Sequence, residues 1–347
     1  MGDGVVVAHE AARDMTAKIF EGMDVPPDDA RQVADGLLWA DLRGIDSHGM
    51  IRIPSYVMRL DKGVVNPKPD IKIVKDLPAA TVIDADQAHG QIALTMGMEN
   101  AMEKARHAGV GWVIVSRSTH SGAVGMYTRM AAEAGMIGLH MGTSNPNMVY
   151  HGARVGGVAT SPMAISVPRG DGRILSLDMA TAIAGVGKLM HYKATNQPLG
   201  EGWALDAEGN PTIDPQKADV PTPLGGPKGS GLSLMFECIT SLMVGPSLIG
   251  RWLTGEARLH KQNVVLVAVD IGAFIDLDAY KAEADYLVAA LKDLPKADGV
   301  DEIFMPGERG DAIFEDRLKN GIPVPQSTWN DIGAVADRFK VPLPPVT

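Results

Sequence analysis

Residues 43 to 59 read Arg-Gly-Ile-Asp-Ser-His-Gly-Met-Ile-Arg-Ile-Pro-Ser-Tyr-Val-Met-Arg. The run sets an imidazole, His48, between Ser47 and Gly49, with the guanidinium of Arg52 four residues on. A neutral imidazole moves protons near pH 7. A guanidinium grips a carboxylate through two parallel hydrogen bonds. Together they suit a small acid with a hydroxyl or keto group beside its carboxylate. The plainer alternative is a histidine in a turn or helix start next to glycine. Pro54 disfavours helix at Ile53, so regular helix is expected from about Pro54. His48 and Arg52 then sit in the approach loop, where the one-face geometry of an i,i+4 pair does not apply.

Four other segments offer chemistry. Ser118-Thr119-His120-Ser121-Gly122-Ala123-Val124-Gly125 follows an apolar run and precedes a helical one. Exposed backbone N–H groups at such a helix start suit an anion, and His120 would face it. A tight strand-to-helix turn with a solvated histidine fits the local sequence too. Asp178 ends the apolar run Ile174-Leu175-Ser176-Leu177, where sheet ends host active sites. A carboxylate there would orient an imidazole, or serve only as a helix cap. Gly225-Gly226-Pro227-Lys228-Gly229-Ser230-Gly231 places one lysine among glycines at a helix start, a phosphate cradle or a flexible loop. Pro306-Gly307-Glu308-Arg309 forms a turn near the end.

Several classes are disfavoured by what is missing. No Gly-x-Gly-x-x-Gly occurs, so the usual dinucleotide fingerprint is lacking. The nine histidines make no zinc spacing, and no metal site is expected. No Gly-x-Ser-x-Gly elbow is present. The single cysteine, Cys238, excludes an internal disulfide and reads as a small core residue. A net charge of −10 argues against nucleic acid or an anionic membrane as partner. The N-terminus lacks a basic start with a long apolar run, and no run reaches the ~18 residues of a membrane span. A cytoplasmic protein is expected.

The elements that must position these groups follow from periodicity. Helices are expected over Glu10 to Met23, Asp28 to Leu42 and Pro54 to Lys62. Strands over Ile71 to Lys75, Thr81 to Asp84, Gly111 to Ser116 and Met136 to Met141 alternate with helices over Gln91 to His107 and Gly125 to Ala134. Asn145 to Gly157 reads as a loop, then Ala164 to Pro168 and Ile174 to Met179 as strands. Gly185 to Gly229 reads as long surface loops. After it come a helix over Gly231 to Val244, a strand over Asn263 to Asp270, a helix over Asp278 to Leu294 and a last strand over Glu302 to Met305. Helices near Asp311 to Asn320 and Trp329 to Phe339 close the chain. The expected class is mixed α/β, with residues 1–75 and 310–347 as one helical subdomain and 76–309 as the body. With 347 residues the chain is long enough for both.

Taken in order, these segments resemble the malate/L-lactate/ureidoglycolate dehydrogenase family, nicotinamide-dependent oxidoreductases distinct from the Rossmann lactate and malate dehydrogenases. The resemblance rests on Asp46-Ser47-His48-Gly49 with Arg52, His120-Ser121-Gly122 with Gly125, Thr160-Ser161-Pro162 and Asp178-Met179-Ala180-Thr181. Gly202-Trp203-Ala204-Leu205-Asp206, Gly225 to Leu232 and Pro306-Gly307-Glu308 with Gly321-Ile322-Pro323 extend it over nearly the whole length. It implies a non-Rossmann fold with a mixed sheet, a homodimer, and hydride transfer between NAD or NADP and a small 2-hydroxy or 2-oxo acid. Some family members instead reduce cyclic 2-imino acids. It implies His48 as proton donor and acceptor paired with Asp178. Ser47, Arg52 and Thr160 would bind substrate, and His120 would act in catalysis or touch the nicotinamide. Ser176, Leu177, Asp178, Met179, Ala180, Thr181, Ala182, Lys228, Gly229, Pro306, Gly307 and Glu308 match cofactor-contacting regions. The chain departs from the family's pattern at Thr119, Ser161, Ala182, Val186 and Pro227.

Overall fold

The computed structural model describes residues 4–257 and 261–347. Residues 1–3, with which the N-terminal subdomain was expected to open, lie outside the described residues. The chain opens with β1 (Gly4–Val7), α1 (His9–Glu21) and α2 (Pro27–Leu42). Two short 3-10 turns, Asp46–His48 and Met50–Arg52, lead into α3 (Ile53–Asp61). Next come β2 (Lys72–Leu77), β3 (Ala80–Asp84), α4 (Gly90–Ala108), β4 (Val110–Ser118), α5 (Gly125–Glu133) and β5 (Met136–Ser144). β6 (Met148–Val149), β7 (Gly156–Val158), β8 (Met163–Pro168) and β9 (Ile174–Met179) precede α6 (Val186–Thr195). Three two-residue strands follow, β10 (Ala204–Leu205), β11 (Pro211–Thr212) and β12 (Val220–Pro221). α7 (Pro227–Ile239), α8 (Ser241–Val244), α9 (Leu248–Leu253), β13 (Gln262–Asp270) and α10 (Leu277–Lys292) come next. α11 (Glu308–Asn320), β14 (Ile322–Pro325) and α12 (Gln326–Arg338) end the chain.

A seven-stranded mixed sheet in the order β2-β3-β4-β13-β5-β8-β9 organises the body. Only β3 and β4 run parallel, joined by α4; the other neighbours are antiparallel. β13 sits at the centre because its apolar run can be buried on both faces. Val264, Leu266 and Ala268 pack under α4 and α5 with Leu94, Met98 and Tyr127. Val265 and Val267 join Ile114 on the opposite face. β9, whose observed span matches the expected one, forms an edge of this sheet.

A second core draws on both ends of the chain. Ile19, Phe20, Leu37, Ile53 and Tyr56 pack with Ile322, Trp329 and Ile332. β1 pairs antiparallel with β14, so the chain starts with a strand where a helical start was expected. Both strands have four residues, and β14 carries Pro323 and Pro325, so neither gives a strong strand signal. The ladder tolerates the prolines because β14 is an edge strand, whose alternate backbone nitrogens face away from β1.

The stretch expected as surface loops, Gly185 to Gly229, instead holds α6 and the β10–β12 sheet. Gly185 and Gly187 mask the helix signal. Ala184, Leu189, Leu199 and Ala204 make a small core there, and Lys188 Nζ lies 4.3 Å from the centre of the Trp203 ring. Glu302 to Met305, expected as a last strand, pairs with no strand; its ends are tied to Lys292 and Glu308 instead. The expected Gly231 to Val244 helix breaks at Thr240. Cys238 is half-buried rather than a core residue.

Candidate active site

Helical backbone begins at Ile53, one residue ahead of Pro54, and the two 3-10 turns carry His48 and Arg52 into it. The Ser47 hydroxyl lies 2.9 Å from His48 Nδ1. The His48 ring stacks on His120, with centroids 5.5 Å apart and planes 15° from parallel. Burial, reinforced by the positive charge of Arg52, lowers His48 to about 4. The imidazole is therefore neutral at pH 7 and able to take a proton.

Arg52 Nε donates to the Ser47 carbonyl at 2.6 Å, which ties the guanidinium to the histidine's own turn. The side chain is half-buried, and burial lowers its pKa. It forms no ion pair among the described residues. A half-buried guanidinium without a carboxylate is costly unless an anion arrives. Space for one is kept by Gly187 at the start of α6: a Cβ there would sit 3.5 Å from Arg52 Nη2 and 3.0 Å from Ser47 Cβ.

His120 is held from behind. Tyr56 Oη lies 2.7 Å from His120 Nδ1, and Gln91 Nε2 donates to Tyr56 Oη at 3.2 Å. The Gly122 N–H also points at His120 Nδ1, at 3.4 Å. An N–H can only donate, so Nδ1 accepts and the ring proton resides on Nε2. The loop itself is pinned to β13: Ser121 donates to Gln262 Oε1 through its N–H at 3.0 Å and its hydroxyl at 2.6 Å. Sequence reasoning missed Tyr56 and Gln91. The available signal was spacing, since Tyr56 lies one helical turn beyond Arg52. Tyr56→Phe is expected to lower kcat about tenfold, the worth of roughly one hydrogen bond, without weakening cofactor binding. An unchanged kcat in steady-state assays would remove Tyr56 from the site.

Asp178 keeps an exposed surface while protein packs densely around its carboxyl group. Enclosure raises its carboxyl to about 6, against backbone hydrogen bonds from Gly125 and Val124. The Gly125 N–H donates to Asp178 Oδ2 at 2.7 Å. The anion expected at the start of α5 is thus Asp178 itself. Among the described residues Asp178 makes no hydrogen bond to His48, whose side-chain partner is Ser47. The two are joined indirectly, because the segment from His120 to Gly125 touches His48 at one end and Asp178 at the other.

β9 and the residues after it gather the remaining segments. Ser176 N donates to Pro306 O at 3.0 Å, bringing Pro306-Gly307 against the strand. The Thr181 N–H and hydroxyl donate to Thr160 O at 2.9 and 3.0 Å. Leu224 N donates to Thr181 O at 2.8 Å, which docks the loop before Lys228. Strand alternation turns the Asp178 amide to the same open edge as that of Ser176. The first N–H groups of α7 fold back instead: Lys228, Gly229 and Ser230 donate to Gly225, Leu224 and Gly226. An anion there would meet the Lys228 ammonium and the helix dipole rather than free N–H groups. Glu308 turns inward, accepting from Met305 N at 2.9 Å and pairing with Lys292 at 2.8 Å. No group of three or more His, Cys, Asp or Glu placed to hold a metal occurs among the described residues.

The chain as a whole is similar to known proteins. A family model described as malate/L-lactate dehydrogenase matches residues 7–333. The malate dehydrogenase of Pyrococcus horikoshii is 35% identical over 339 residues, spanning 93% of this chain and 92% of that protein. The crystal structure of malate dehydrogenase from Entamoeba histolytica superposes with a TM-score of 0.93 at 27% identity, covering 99% of this chain and 100% of that one. That of Δ1-piperideine-2-carboxylate reductase from Pseudomonas syringae superposes at 0.82 with 26% identity, covering 95% and 99%.

Proposed function

This chain belongs to the malate/L-lactate dehydrogenase family, a family of 2-hydroxyacid dehydrogenases, and from that premise we propose that it interconverts a small 2-hydroxy acid and its 2-oxo acid with NAD or NADP, His48 moving the proton. The observation that carries this reading is Arg52, a half-buried guanidinium without an acidic partner among the described residues, beside a neutral imidazole. The terminal nitrogens of Arg52 hold the substrate carboxylate, with the Ser47 turn fixing the guanidinium plane. Thr160, tied to the residue run after β9 through Thr181, is a second candidate to hold the substrate. His48 takes the hydroxyl proton in oxidation and returns it in reduction. His120, protonated on Nε2, stacks on His48 and limits its rotation.

The donor set at β9 fits a nicotinamide cofactor. Within the run Ser176 to Ala182 the outward Asp178 amide offers a backbone donor to a carboxamide, and Lys228 offers a cation to phosphate. A bound nicotinamide accepts or supplies the hydride at the substrate carbon. Gly229, Pro306 and Gly307 flank that edge, while Glu308 supports it from inside. Residues 1–75 with 310–347 then carry the proton-transfer loop, and 76–309 hold the cofactor. The protein acts as a cytoplasmic homodimer. The exposed apolar side chains of Met235, Leu242, Met243 and Leu253 give a second copy a face to cover. A net charge of −10 speaks against a nucleic-acid partner, and no helix among the described residues is long and apolar enough to cross a membrane.

A second reading, reduction of cyclic 2-imino acids, is favoured by the likeness to the Pseudomonas syringae reductase. It uses the same carboxylate clamp and differs in protonating nitrogen. Oxidation of NADH and NADPH, followed by absorbance against a panel of 2-oxo acids and cyclic 2-imino acids, separates the two. Turnover of an oxo acid is expected, and one cofactor is expected to be preferred. Turnover of imines alone would replace the first reading by the second.

A further inference from the structure

The turn that carries His48 is fastened at both ends by groups outside it. Asp41, in the last turn of α2, is 5% exposed. Its Oδ2 accepts the Met50 N–H at 2.7 Å, two residues beyond His48. The turn lies flat on this carboxyl group: a Cβ on Gly49 would fall 1.8 Å from Asp41 Oδ1. Arg317, on α11, fastens the other end. Its Nη1 donates to the Asp41 carbonyl and, at 2.5 Å, to Asp46 Oδ1. Residues 46 and 50 are thereby fixed from α11 and from α2, with His48 between them.

We propose that Asp41, together with Arg317, is a positioning residue for His48: the buried carboxyl group and the guanidinium hold the 46–50 turn so that the imidazole meets the substrate. The inference rests on the reading of His48 as the proton-transfer group. A buried carboxyl group with one backbone hydrogen bond is a poor stabiliser, and an apolar residue would fill the space at lower cost. What the carboxyl group supplies, and a leucine would not, is a defined acceptor for the Met50 amide. Burial, with Asp46 adding to it, raises Asp41 to about 8 against Arg317 and the Met50 amide. Near pH 7 the group is largely neutral, so its task needs an acceptor rather than a charge. Asparagine retains that acceptor.

The test compares kcat, KM and cofactor affinity for Asp41→Asn, Asp41→Ala, Arg317→Met and His48→Ala. Misplacement of a reacting group by about 1 Å can cost ~100-fold. Asp41→Ala is therefore expected to lose about 100-fold in kcat, and Arg317→Met about tenfold, at unchanged cofactor affinity. Asp41→Asn is expected to stay within about threefold of the parent, a rescue that follows from keeping the hydrogen bond. Full kcat in Asp41→Ala beside an inactive His48→Ala overturns the positioning role, as does Asp41→Asn being as slow as Asp41→Ala. Full kcat in His48→Ala overturns the proton-transfer reading instead. If Asp41→Ala does not fold, Arg317→Met decides: unchanged kcat in that variant overturns the proposal.

Discussion

His48→Ala is expected to lower kcat about 1,000-fold, within the range that positioned proton transfer contributes, while leaving cofactor affinity in place. The cofactor residues lie on β9 and its docked loops, none of which hydrogen-bonds to the His48 side chain. The wild-type pH profile gives a second readout. Oxidation of a hydroxy acid needs the imidazole neutral. Burial and Arg52 lower His48 to about 4, so the acid limb of kcat/KM for oxidation falls near pH 4 rather than near the ordinary 6.5. Reduction needs the protonated ring, and a bound carboxylate facilitates this by offsetting the charge of Arg52. Proton uptake on binding a 2-oxo acid is the corresponding signature. Full turnover in the alanine variant, with the parent limb near 6.5, would assign the proton to another group.

The parts of the fold legible in the chain are those whose signal is local. Val264 to Ala268 is apolar without interruption, so β13 and its central place can be anticipated. His48 and Arg52 sit in one short run, so their joint chemistry can be read too. What hides is whatever needs a distant partner. Tyr56 looks like a core aromatic until His120, 64 residues away, meets its hydroxyl. Arg317 and Asp41 are 276 residues apart and carry no shared pattern. Asp178 was expected to pair with His48. It faces the start of α5 because helix N–H groups lie within reach and satisfy a carboxylate without desolvating a second charge. α6 hides for a different reason: Gly187 serves the close approach to Ser47 and Arg52 and, with Gly185 just before the helix, weakens the helical signal.

That close approach makes Arg52 the site's second decisive residue. Arg52→Met is expected to raise KM for a 2-oxo acid by 100-fold or more, on the order of 3 kcal/mol for two charge-assisted hydrogen bonds. Nε is already committed to Ser47, so the terminal nitrogens carry the interaction and lysine cannot reproduce their fork. Arg52→Lys should therefore recover only part of the loss. The same substitution acts on His48. Removing the guanidinium charge takes away one of the two causes that hold the imidazole low, and burial remains. The acid limb of oxidation in Arg52→Met should then move up toward neutral pH, though not as far as the ordinary histidine value. A purely structural arginine would shift neither quantity selectively. Discrimination between an oxo acid and its amide measures the clamp directly: the parent should prefer the acid strongly, and Arg52→Met should not. Equal preference in the parent would mean that the carboxylate is bound elsewhere.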